Sequence, residues 1–562
     1  MAARADRPVP SRRAISPTAA LVVLTLGAGA LLLYAARHLT FFYDEWDFIL
    51  GRRGSSLASY LDPHNGHLTL FPVIVYKLLL AIVGMRHYWL YQAIEVSLHM
   101  LCGVLLYVLA RRRLGPWLAL APAVLLLFMG SAYQDLLWPF QIAFLASMAG
   151  GLGALGFLDR GAGPRADAGA CALLLWSLSA SSVGIPFLAA VAVLLIAQHA
   201  NPWRAWVVVV PAVLYTLWYL GWGTSESPTS QSLLGSTEYV ADAAAGAVAG
   251  IAGLADSWGP PLAVATLIAL LVRVRGRHAA PAPMLIAAAI GGLAFWWLAA
   301  IARGDLTQPD SSRYLYVGAA FILLIASEAA AGAKPSRIEL AGIAGLVVIA
   351  VVGNVSLLRG AERSYRSADE SVQASLEAVQ VAAPVVSPTF VPEPQDAPQV
   401  QAGPYLSAVR QFGSPALTLQ QLEQAPGSVT EEADNVLAHA EALAPVRARA
   451  RAAADRPVLV DSTTTGRIER LGLCERYMPA GMTSVGDFAV APGAELLLAP
   501  ASGSGPNIYL RRFAAQFSIG QPVFARITGG ERVAIRFPVD RAPALSWHVR
   551  LTGTSPVVVC MR

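Results

Sequence analysis

The chain has 562 residues, 55% of them hydrophobic and 14% charged, with a mean hydropathy of +0.52. Soluble domains carry about a quarter charged residues, so this composition excludes an ordinary soluble globule and points to a polytopic membrane protein. The net charge of +5 does not argue for a nucleic-acid partner, because the cations sit mostly in short loops between apolar stretches, where the positive-inside rule places them.

Residues 1–14 carry Arg4, Arg7, Arg12 and Arg13 and read as a cytoplasmic N terminus. Apolar stretches near the spanning length then follow at Thr18–Ala36, Tyr88–Ala110, Leu114–Gly130, Leu137–Leu158, Ala168–Ser182 and Ile185–Gln198. Five more lie at Ala205–Gly221, Pro260–Val274, Met284–Ala302, Tyr314–Glu328 and Ile338–Leu358. With the N terminus inside, Arg111-Arg112-Arg113, Arg160, Arg165, Arg204, Arg273, Arg275, Arg277, Lys334 and Arg337 are cytoplasmic. The loops Ser131–Leu136 and Thr224–Trp258 carry no Lys or Arg. This bias predicts about eleven spans over residues 15–358 and an extracytoplasmic C terminus.

The first outer loop, residues 37–87, contains Leu68–Met85, which is long enough to span. Counting it would put Arg111-Arg112-Arg113 outside, and it holds Pro72 and Lys77, so it reads as a re-entrant or interfacial helix. The same accounting splits Ala168–Gln198 at Val183-Gly184-Ile185-Pro186.

Beyond Leu358 the chain turns polar. Residues 359–456 read as an extracytoplasmic helical and linker region, with Leu417–Ala454 helical, and residues 457–562 as a small β-sandwich. Short alternating runs such as Asn507-Ile508-Tyr509-Leu510 and Val557-Val558-Val559-Cys560 carry that pattern. Cys102 and Cys171 lie in apolar segments and read as core residues. Cys474 and Cys560, the pair in the exported part, read as a disulfide.

Carboxylates are too costly to leave in hydrocarbon, so Asp44, Glu45 and Asp47, directly after the first span, must face water, a cavity or cations. The flanking Phe41, Phe42, Trp46 and Phe48 would hold them at headgroup depth. On a helical turn Asp44 and Asp47 would share a face, fit for one carboxylate to take a hydroxyl proton and another to orient a sugar or metal. The plain alternative is helix capping and dipole complementation. In the next outer loop stands Gln134-Asp135, where a lone Asp is usually a solvated cap. Arg313-Tyr314 opens the tenth span, and a guanidinium grips phosphate through a fork. Lys77 is a second phosphate candidate against a snorkelling alternative. Glu95 and His99, four apart in the second span, read as cavity lining or a proton relay, or as a pair that holds the bundle.

In order, the outer-loop Asp44-Glu45, the His64-Asn65-Gly66-His67 turn before a re-entrant helix, the basic Arg111-Arg112-Arg113-Leu114-Gly115, the outer Asp135 and the late Arg313-Tyr314 resemble the GT-C class of membrane glycosyltransferases. That class includes protein O-mannosyltransferases and aminoarabinose transferases. The turn departs from relatives that often carry His-Pro-Pro there. The resemblance covers about Thr18–Leu358 and implies a bacterial plasma-membrane enzyme that inverts configuration, taking a sugar from a polyprenyl-phosphate donor to a cell-envelope glycan, lipid or protein. It makes Asp44 the general base, with Glu45 or Asp47 orienting the sugar and Asp135 beside them. Arg313, Tyr314 and Lys77 would hold the donor phosphate, and His64, His67, Gln134, Glu95 and His99 would line the acceptor side and cavity. Some relatives use a divalent metal and others none, so the cofactor stays open. A transporter or flippase of lipid-linked glycans, coupled through Glu95 and His99, is the competing reading, favoured by inverted repeats; none is evident in the sequence. A membrane scaffold displaying the β-domain is a third, and it leaves the carboxylates unexplained.

Overall fold

Each expected apolar stretch folds as a helix, as it must where water cannot satisfy the backbone. The computed structural model describes residues 16–223, 233–276, 281–303, 307–448, 454–501, 505–517 and 530–562; Arg4, Arg7, Arg12, Arg13 and Arg277 lie outside them. The helices are α1 (Pro17–Ala35), α2 (Ala58–Leu61), α3 (Leu70–Ile82), α4 (Trp89–Leu118), α5 (Leu120–Leu127) and α6 (Gln134–Leu137). Next come α7 (Ile142–Arg160), α8 (Pro164–Ala180), α9 (Gly184–Ala197), α10 (Trp206–Trp222), α11 (Leu233–Ala252) and α12 (Gly259–Arg275). The last are α13 (Pro283–Arg303), α14 (Ser312–Ala329), α15 (Arg337–Val381), α16 (Ala402–Phe412), α17 (Leu419–Glu423) and α18 (Gly427–Ala440).

Among the described residues, 8 helices are long and apolar enough to cross a membrane. The expected count of about eleven is therefore not reached on length. The shortfall falls on α5, α8 and α9, of 8, 17 and 14 residues. At 1.5 Å rise per residue, α5 covers about 12 Å, well short of a ~30 Å hydrocarbon core. The α8–α9 break falls at Ser181–Val183, beside the expected turn. Gly115, at φ 75 ahead of Pro116, kinks the end of α4. α3, with 13 residues, is too short to span. The expected cation-free outer loop Thr224–Trp258 needs correction: its middle, Leu233–Ala252, is α11, a 20-residue helix. Its Ala- and Gly-rich sequence has no strong apolar peak, yet it lets α11 lie close on α12, α13 and α14. Leu417–Ala454 is likewise not one helix. The chain leaves α18 through Ala442 at φ 51 and enters a strand.

Two compact units result. The first comprises Met1–His38, Gly54–Leu79 and Trp89–Ser364; the second comprises Leu39–Arg53, Leu80–Tyr88 and Tyr365–Arg562. In the second unit two antiparallel sheets face each other. One has six strands, β1 (Val446–Arg447), β8 (Val533–Arg536), β6 (Glu495–Pro500), β10 (Val557–Met561), β4 (Cys474–Met478) and β3 (Arg467–Leu471), in that order. The other has four, β2 (Leu459–Val460), β5 (Val485–Val490), β9 (Trp547–Thr552) and β7 (Asn507–Arg511). Alternation sends Phe488, Trp547, Val549 and Leu551 of one sheet, and Leu496, Leu498, Ile535 and Val559 of the other, into a common core. Ala374, Ala378, Leu422, Val436 and Leu437 join that core, so the helices after α15's apolar half and the sandwich share it. The disulfide joins Cys474 on β4 to Cys560 on the adjacent β10, with Cα atoms 4.4 Å apart. Cys102 and Cys171 are buried and free.

Candidate active-site residues

The acidic loop belongs to the second unit and is built as a strained turn. Tyr43 has φ 45, a left-handed conformation costly for an aromatic residue. Asp44 follows directly, and Asp47–Gly51 forms a π-helical turn, a geometry frequent at functional sites. Three fixed points hold it. Asp369 Oδ2 accepts the Thr40 N–H at 2.9 Å, Glu45 Oε2 accepts the Phe42 N–H at 2.9 Å, and the Asp396 carbonyl accepts the Tyr43 N–H at 2.9 Å. Tyr88 donates its hydroxyl to the same Glu45 oxygen at 2.9 Å. Glu45 is fully buried and ties the loop to itself. Asp44 and Asp47 bring carboxylate oxygens within 4.8 Å of each other, and Gln399 donates to Asp44 Oδ1 at 3.5 Å. The Asp47 N–H donates to the Asp44 carbonyl at 3.2 Å, so the pair stands three residues apart on one turn that precedes the π-helical segment.

Three of the flanking aromatics are core residues. Phe41, Trp46 and Phe48 are buried; Trp46 packs on Phe41 at 5.7 Å and on Tyr405 at 6.0 Å, and Phe41 meets Tyr88 at 4.7 Å. Asp369 lies in the polar extension of α15, past its apolar stretch. Burial pushes its carboxyl well above the usual range; the Thr40 N–H opposes this, while Glu45, Asp396 and Glu370 add to it.

In the first unit, Asp135 on α6 is fully buried, not the solvated cap expected of so short a loop. Among the described residues, neither of its oxygens has a hydrogen-bond partner. Burial raises its carboxyl well above the ordinary range, and the charge of Arg313 partly opposes that. The two expected residues are thus brought into electrostatic reach. A polar lattice sets this up. Gln134 N–H donates to Ser312 Oγ at 3.1 Å, Ser312 Oγ donates to the Ser131 carbonyl at 2.8 Å, and Arg313 N–H donates to Gln134 Oε1 at 3.3 Å. Arg313 is half-buried, its Nε has no hydrogen-bond partner among the described residues, and its guanidinium lies 5.4 Å from the Tyr314 ring. Tyr314 itself is buried against Phe144 and Phe295.

Asn354 completes the lattice, and the sequence reading missed it. Its Oδ1 accepts the Ser131 N–H at 2.9 Å, while Nδ2 donates to the Gly250 carbonyl at 3.0 Å. The backbones nearly touch: a Cβ on Gly130 would sit 1.9 Å from the Asn354 carbonyl oxygen. A lone buried amide in the apolar Ile338–Leu358 was the available signal.

The remaining candidates are engaged elsewhere in the first unit. Lys77 donates to the Gly54 carbonyl at 2.6 Å and Ser59 Oγ at 2.8 Å, with its ammonium over the Tyr60 ring. His64 and His67 exchange both backbone bonds around Asn65 (φ 50) and Gly66 (φ 76), a two-residue hairpin turn that asparagine-glycine favours. His67 Nδ1 meets Ser182 Oγ at 2.7 Å, and His64 packs edge-on against Phe140. His99 joins Tyr316 OH through Nδ1 at 2.6 Å and the Leu127 carbonyl through Nε2 at 3.1 Å. A carbonyl only accepts, so Nε2 carries the proton and Nδ1 accepts from the tyrosine. Glu95 is fully buried one turn away.

No protein-family model matches the chain, and no curated protein does. Two solved structures of ArnT from Cupriavidus metallidurans are similar. One, bound to undecaprenyl phosphate, is 14% identical with a TM-score of 0.45; the other, in the apo state, is 16% identical with a TM-score of 0.44. Each match covers 67% of this chain and 82% of the other.

Proposed function

We propose that the protein is an integral membrane glycosyltransferase that moves a sugar from a polyprenyl-phosphate donor to an extracytoplasmic acceptor in the cell envelope. The observation that carries this reading is the Asp44–Asp47 pair, held close on a strained loop that three backbone anchors fix in place. A loop built at that cost has its carboxylates pre-positioned, which acid–base catalysis requires.

Asp44 takes the proton of the acceptor hydroxyl as its oxygen bonds to the anomeric carbon, and the bond to the lipid phosphate breaks on the opposite face. That gives inversion. Asp47 orients the sugar, while Glu45 acts by holding the loop. Arg313 binds the donor phosphate. In this reading the transfer takes place on the outer side, where the C terminus also lies, so a reporter fused after Arg359 is active only there.

Asp44→Asn should lower transfer by roughly 10²–10⁴-fold in protein that remains folded. Arg313→Ala should raise the KM for donor, and Arg313→Lys should restore it in part, because an ammonium lacks the fork. Full activity of Asp44→Asn would overturn the assignment. Flipping of a lipid-linked glycan without transfer would replace it with the transporter reading.

A further inference from the structure

A groove of about 220 Å³ opens between α4, α7 and α8 in the first unit. Leu105 and Leu109 of α4, Leu152 and Gly156 of α7 and Trp176 of α8 line it, and Arg160 stands at one end. Gly156 of α7 puts no side chain into it. A Cβ on Gly156 would meet only Leu109 Cδ2, at 3.9 Å. From Leu152 to Arg160 the helix rises about 12 Å, the scale of the deeper part of one lipid leaflet.

The lining alone would not select a ligand, since lipid tails are as apolar as leucine. The charge does. Arg160 is exposed and has no ion-pair partner among the described residues; it lies only 6.0 Å from the Phe157 ring. The carboxylates around it are already taken. Asp159 binds Arg112 at 3.0 Å and Arg113 at 2.5 Å, and Glu328 binds Arg113 at 2.6 Å. Asp167, at the start of α8, binds Arg204 at 2.7 Å. With Arg111 at the same end of α4, four guanidiniums (Arg111, Arg112, Arg113, Arg160) face two carboxylates (Asp159, Glu328).

We infer that this groove is a binding site for an anionic phospholipid, one acyl chain lying along α7 and the phosphate meeting Arg160. A basic pocket between membrane helices at the cytoplasmic side selects acidic head groups by charge, and the cation bias of the sequence puts this end there. The site is separate from the proposed transfer chemistry and does not rest on it.

The test uses the full chain in nanodiscs of phosphatidylcholine alone or mixed with phosphatidylglycerol, with native mass spectrometry and melting temperature as readouts. Wild-type protein should retain phosphatidylglycerol preferentially and melt higher in its presence. Arg160→Ala should reduce that preference roughly fivefold, the effect of one basic residue at a membrane surface, and leave chain binding intact. Gly156→Leu, which fills the groove with Arg160 in place, should expel the bound lipid of either kind. Equal retention of both lipids by wild type would overturn the site. So would unchanged preference in Arg160→Ala with the loss seen instead in Arg111→Ala, or wild-type lipid retention in Gly156→Leu.

Discussion

Tyr88→Phe tests whether the acidic loop is held from within. The substitution removes one hydroxyl, 2.9 Å from Glu45 Oε2, and leaves the ring against Phe41 at 4.7 Å. Glu45 is fully buried, so water cannot take the hydroxyl's place without opening the loop. A hydrogen bond to a charged group contributes about 1.5–3 kcal/mol, which converts to local opening roughly 10- to 150-fold more frequent. The direct assay is native-state hydrogen exchange on a peptide covering residues 39–53. It holds the Thr40, Phe42 and Tyr43 amides, which bond to Asp369, Glu45 and the Asp396 carbonyl. In a Glu45→Gln background the acceptor is neutral, so the same hydroxyl should count for only about 0.5–1.5 kcal/mol and the two changes should couple. Exchange within twofold of wild type in Tyr88→Phe, or strict additivity with Glu45→Gln, would show that Glu45 does not anchor the loop.

Asn354→Ala should leave the half-buried Ser131 N–H without its acceptor, at a cost of about 1–3 kcal/mol; donor KM should rise through the Ser312–Arg313 lattice, and an unchanged KM would place Asn354 outside it. The second unit should be most stable at mildly acid pH. Burial, reinforced by Asp540 and opposed by Arg512, pushes the Glu441 carboxyl up to about 9, and burial, opposed by Arg541, pushes Glu377 up to about 7. A carboxyl whose folded pKa is raised contributes stability that is full below its unfolded pKa, near 4.5, and is lost as pH rises through the folded value. Melting temperature should therefore fall from about pH 5 to 9, and Glu441→Gln should flatten the upper part of that decline; a profile rising with pH would refute this. Denatured, unreduced protein should titrate two thiols, Cys102 and Cys171, and four after reduction. Replacing Cys474 and Cys560 with serine releases a loop of 86 residues, an entropic loss of about 4–5 kcal/mol in the chain model, read as a lower melting temperature of the sandwich.

What could be read along the chain was whatever depends on local period and composition. Apolar runs became helices, the alternation after Val458 became strands, and the lone cysteine pair in the polar part became a disulfide. The kink at Gly115-Pro116 and the turn at Asn65-Gly66 follow from backbone chemistry that only those residues tolerate cheaply. α11 escaped because alanine and glycine signal close packing only once the neighbouring helices are known.

The roles of the polar residues were decided by contacts between segments far apart in sequence. Three carboxylates in four residues look alike as letters. Folding turned Glu45 inward onto Phe42 and Tyr88 and brought Asp44 beside Asp47, with Asp369, 325 positions beyond Asp44 in the numbering, fixing Thr40. Asp135 stands in a short polar turn by sequence, but packing of α6 against α4 and α14 removed its water and left Arg313 as the charge it feels. Desolvation and hydrogen bonding act over a few ångströms of space, and only the tertiary fold sets which groups come that near.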